Sequence, residues 1–177
     1  MDETVPFGSR AYFVFLAVLV AGRGADFLST WIATPNLVLE ANPIAKKLGW
    51  RWGLAVNGAL CGVFALWPLL AIIICTTSLL VASHNFQEAW LMRALGEDRY
   101  RSWKAEAVAE ARFPLAVACY AAQTVLGGSV GAALVWFNGD QLVPLGVGLG
   151  IIGYAVAVST YSLLALRRRR KGAGTVV

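Results

Sequence analysis

The sequence specifies an all-α membrane protein: a bundle of four transmembrane helices with an amphipathic segment at the cytoplasmic interface between the second and third spans. Three observations carry this. Of 177 residues, 58% are apolar and 14% charged, against about 45–50% apolar in soluble domains. Mean hydropathy is +0.64. Runs matching the roughly 20 residues that a bilayer requires recur along the chain. The length suits one integral domain, residues 1–177.

The first span covers residues 11–33 and stops at Thr34-Pro35-Asn36, a breaker followed by a turn residue. Asp2 and Glu3 stand where a signal peptide needs positive charge, so this run is expected to stay in the protein. From Trp52 to Ser83 no residue is charged. That run is too short for two full crossings and is read as one long helix, residues 53–83, kinked at Pro68. Residues 84–112 mix both charge signs with Trp90, Tyr100 and Trp103, the pattern of one or two interfacial helices broken near Gly96. The third span, 113–137, has Pro114 in its first turn and Gln123 as its one large polar side chain. Asn138-Gly139-Asp140 forms a turn into the fourth span, 141–166. Gly127/Gly131, Gly146/Gly150 and Gly58/Gly62 are spaced for close helix approach.

The net charge of +5 is concentrated in the terminal run Arg167 to Lys171. A basic cluster flush against a span is an anchor for anionic lipid, so the bilayer is the expected partner and nucleic acid is not. With four crossings, both termini and the 84–112 segment fall in the cytoplasm and Lys46, Lys47 and Arg51 outside, in a multi-pass protein of the cell inner membrane. Cys61, Cys75 and Cys119 lack metal or redox spacing and are read as packing residues.

Arg23 and Asp26 interrupt the first span at membrane depth, where ionisable groups are expensive and face a bundle interior or a wet cavity. Ser29 and Thr30 extend the same helical face. Under this topology Glu40, Asn42 and Asn57 share that outer depth, and the seven residues form an outward-facing polar pocket. Asp26, Glu40 and Asn42 supply oxygen ligands suited to a hard cation; a zinc site is not expected with one histidine and no H-E-x-x-H. His84 and Asn85 fall at the cytoplasmic interface, Asn85 as a helix N-cap with Glu88 three residues on. The function expected is binding of a cation or proton, for transport or in an accessory role. An intramembrane hydrolase using Asp26 and Glu40 and a structural subunit of a larger membrane complex are the alternatives, and catalysis is left open. Four crossings seldom enclose a pore, so a homo-oligomer or a membrane-complex partner is expected. Plainer readings stand beside these: an Arg23–Asp26 structural pair, and Asn42-Pro43 as a turn or cap.

Asp26-x-x-Ser29-Thr30 followed by Glu40-Ala41-Asn42-Pro43 and Gly49 resembles a family of small bacterial and archaeal multi-span membrane proteins of unknown function, over about residues 22–60. The resemblance implies that Asp26, Thr30, Glu40, Asn42 and Pro43 form one signature. It implies no reaction.

Overall fold

The computed structural model describes residues 4–40 and 42–173, with side chains to residue 164. The side chains of the basic run Arg167 to Lys171 lie outside the described residues. Six helices follow one another: α1 Arg10–Ala33, α2 Pro43–Phe64, α3 Pro68–Leu95, α4 Glu97–Glu110, α5 Phe113–Trp136 and α6 Leu142–Ala173. Four of them, α1, α3, α5 and α6, are long and apolar enough to cross a membrane.

Each start has a local cause. Ser9 caps α1 by accepting from the Tyr12 amide at 3.1 Å. Asn42 caps α2 through the Ile44 and Ala45 amides, with Pro43 in the first turn. Gly49, at φ +65°, breaks α2 before its straight part. Between α2 and α3, Pro68 forces Trp67 out of the helical region to φ −114°, ψ 96°. Gly96, at φ +78°, separates α3 from α4. Gly139 and Asp140 both take positive φ in a turn closed by the Asn138 carbonyl and the Gln141 amide at 3.0 Å.

Contacts at successive depths fix the directions. Trp50 donates from its indole nitrogen to the Pro35 carbonyl near the end of α1, Asn57 meets Arg23, and the Gly62 carbonyl accepts from the Tyr12 hydroxyl near its start. α2 therefore runs back along α1. Cys75 meets Val18, Ser78 meets Arg23, and Asn85 meets Ser29 and Thr30. α3 is thus parallel to α1. Gly146 and Gly150 lie against Leu69 to Thr76, so α6 is parallel to α3, and α5 is antiparallel to α6. α1, α3, α6 and α5 pack side by side in that order, α2 lies on α1 and α3, and α4 touches α3 and α6.

The expected single helix over 53–83 is therefore two helices. Pro68 starts a new span instead of bending an old one, and the straight part of α2, Trp50 to Phe64, is about 22 Å long at 1.5 Å per residue. Residues 84–95 continue α3, and only α4 is separate. The start of α1 and the end of α6 lie at opposite ends of the helix row, since α1, α3 and α6 run parallel. The 34–42 connector meets the α3–α4 junction, its Asn36 amide donating to Glu97 Oε1 at 2.9 Å. It was expected at the other end.

Glycine sets the spacing of the row. A Cβ on Gly131 would lie 2.7 Å from the Gly148 carbonyl oxygen, and one on Gly148 would lie 2.7 Å from that of Gly131. Gly146 and Gly150 make the equivalent approach to Ile72 and Thr76, and Gly22 to Cys75. Gly58 has nothing within 4 Å. Gly131→Ala should lower thermal stability in detergent by about 1–3 kcal/mol through overpacking, while Gly58→Ala should be neutral or stabilise by up to about 1 kcal/mol.

Candidate functional site

A cluster of polar side chains within the apolar layer gathers where α1, α2 and α3 meet. Arg23 is the hub. Its Nη1 donates to Asp26 Oδ2 at 2.9 Å and to Ser78 Oγ at 3.2 Å, and its Nε donates to Asn57 Oδ1 at 2.9 Å. Nη2 also donates to Asn57 Oδ1, and the guanidinium carbon lies 6.0 Å from the Phe27 ring centre. Asn57 is oriented in turn by its own amide donating to the Gly53 carbonyl at 2.8 Å. One cation thus holds three helices through a carboxylate, an amide and a hydroxyl.

One turn along α1, Asn85 Nδ2 donates to Ser29 Oγ at 3.2 Å and Thr30 Oγ1 at 3.3 Å. Ser29 donates to the Asp26 carbonyl at 2.9 Å. Ser29 and Ser78 are fully buried, so a polar seam follows the α1–α3 contact from Arg23 toward the connector. Asn85, expected as an N-cap, is inside α3 because the helix starts seventeen residues earlier, at Pro68. His84, half-buried, lies one turn before Glu88.

Glu40 and Asn42 do not point their engaged oxygens into the cluster. Glu40 Oε1 accepts from the Asn42 amide at 2.7 Å, and Asn42 Oδ1 caps α2. Among the described residues no three His, Cys, Asp or Glu side chains cluster as metal ligands. Of the three expected cation ligands, Asp26 Oδ2 accepts from the Arg23 guanidinium, and Glu40 Oε1 and Asn42 Oδ1 accept from backbone amides. The seven expected residues divide into an Arg23–Asp26–Asn57 cluster, a Ser29–Thr30 seam and a Glu40–Asn42 cap. Ser78 was missed, although it lies seven residues before Asn85 and hence on the same helical face.

A second polar group was also missed. Glu88 Oε2 accepts from Lys104 Nζ at 2.7 Å and from the Tyr100 hydroxyl at 2.5 Å, and Lys104 donates to that hydroxyl at 3.0 Å. The three line a cleft of about 300 Å³ that also includes Trp103 and Tyr120. Burial first, then the bond to Glu88, pushes the Tyr100 phenol above its ordinary pKa. Burial alone would pull Lys104 down, but its bonds to Glu88 and Tyr100 outweigh that and hold it above the ordinary lysine value.

Two outcomes follow. Arg23→Leu leaves Asp26 uncompensated and should cost about 3 kcal/mol of stability; Arg23→Leu with Asp26→Leu should recover much of it, read as melting temperature in detergent. The Lys104 contribution is fully present below the ordinary lysine pKa of about 10.4 and is lost as pH rises through its higher folded value. Stability should therefore fall in that alkaline window for the wild type by more than for Lys104→Met.

Compared with known proteins, the chain matches no family model, no curated protein and no solved structure.

Proposed function

We propose that this integral membrane protein is a non-catalytic accessory subunit of the membrane, in which the Arg23 cluster fastens α2 across the α1–α3 seam. The observation that carries the reading is the engagement of the candidate ligands. Asp26 Oδ2 accepts from Arg23, Glu40 Oε1 accepts from a backbone amide, and Asn42 Oδ1 caps a helix. The side-by-side packing of α1, α3, α6 and α5 also favours a subunit over a carrier that acts alone.

The charge distribution supports one orientation. Of fifteen Lys and Arg, all except Arg10 and Arg23 belong to the end that holds the connector, α4 and the close of α6. The positive-inside rule puts that end in the cytoplasm and the start of α1 outside. In this orientation Asp26 and Glu40 lie toward the cytoplasm, and the cell inner membrane remains the proposed location.

A second reading, proton binding at Asp26, rests on its other oxygen. Oδ1 accepts no hydrogen bond among the described residues, and the side chain retains 17% exposure. Thermal stability with added Na⁺, Mg²⁺ or Ca²⁺ separates these ideas from cation binding, because a ligand of the folded state raises apparent stability by mass action. The accessory reading expects no rise with any of the three. A rise abolished by Asp26→Asn would contradict it, and proton flux into liposomes lost in the same variant would favour the second reading.

A further inference from the structure

Among the spanning helices, α5 packs only on α6, and its outer face carries a polar group that lipid cannot satisfy. Inside the α5–α6 contact, Thr124 is matched with Ser159 and donates to the Tyr120 carbonyl. The next residue, Gln123, is exposed, and it makes no hydrogen bond among the described residues. It stands about 15–20 Å from either end of α5 at 1.5 Å per residue, too far for its side chain to reach an interface. A carboxamide there loses both its donor and its acceptor hydration. Leu115, Cys119, Leu126 and Val130 share its side of the helix at steps of eight, four, three and seven, and all are exposed.

We propose that this face of α5 is the contact between two copies of the chain, closed by reciprocal hydrogen bonds between their Gln123 side chains. A carboxamide holds a donor and an acceptor and is its own complement. Two copies inserted in the same direction are related by a two-fold axis along the membrane normal, so residues of equal depth face each other. An unlike protein would need a matching polar group at that depth; a second copy supplies it by symmetry. Side-chain hydrogen bonds of this kind are a known glue between helices in lipid. The inference names a partner for the accessory subunit but does not rest on the role of the Arg23 cluster.

The test is dimerisation of dye-labelled full-length chains in liposomes, followed by energy transfer as the protein is diluted in lipid. Wild type should dimerise, Gln123→Leu should weaken association by on the order of tenfold, and Gln123→Asn should retain most of it. Copper-catalysed air oxidation should join Cys119 to Cys119 of the second copy, and Cys119→Ser should abolish that band. Melting temperatures of the variants confirm that each is folded. Wild type that stays monomeric at every dilution, or Gln123→Leu that dimerises as tightly as wild type, would overturn the proposal. So would Cys119 joined to a different protein.

Discussion

A guanidinium carried into an apolar layer must bring its own solvation, and that requirement organises the first half of this protein. Arg23 meets it with Asp26 on its own helix, Asn57 on α2 and Ser78 on α3. α2 packs sparsely on the rest of the protein, and exposed Trp52, Leu54, Leu60 and Val63 line its outer side. Its position is therefore set at three polar points: the Trp50 indole on the Pro35 carbonyl, Asn57 on Arg23 and the Gly62 carbonyl on Tyr12. Breaking the contact with Asn57 would take two hydrogen bonds from the Arg23 guanidinium inside the apolar layer, and this keeps a short helix in place against lipid.

The second half depends on backbone proximity. α6 presents Gly146 and Gly150 to α3 and Gly148 to α5, so it is gripped on two sides. Lipid provides no hydrophobic drive for helices to associate, so close packing and interhelical hydrogen bonds replace it. The Thr77 hydroxyl donating to the Gly150 carbonyl at 3.2 Å and the Thr124–Ser159 contact are of that second kind. The two halves meet along α3, which holds the Arg23 cluster and the polar seam on one side and the α6 glycines on the other.

Much of this was legible in the residues. The spans at 11–33, 113–137 and 141–166 lie within a few residues of α1, α5 and the apolar part of α6, because each is bounded by a breaker or a charge. The spacing of Gly131, Gly146 and Gly150 pointed to close contacts that Gly58 and Gly62 do not make, and Arg23 and Asp26 pointed to polar groups inside the first span. What was lost followed from one proline. Trp67-Pro68 is a stop and a start, but in an uncharged run it was taken for a kink, since nothing polar marked a turn there. Counting that run as one pass moved the connector to the wrong end, separated Asn85 from Ser29 and Thr30, and hid Ser78. Glu88, Tyr100 and Lys104 come together across Gly96, and no local spacing announces such a meeting.

The account turns on α2 running back along α1 as a helix separate from α3, and the side on which two loops emerge tests it most directly. Single cysteines at Phe7, Ile44 and, as a control, Gln141 would be probed in intact and permeabilised cells with a membrane-impermeant thiol reagent. The account predicts labelling of Phe7→Cys and Gln141→Cys from outside, and of Ile44→Cys only after permeabilisation. Ile44→Cys labelled in intact cells, with Phe7→Cys protected until the membrane is opened, would restore a single helix through Pro68 and contradict it.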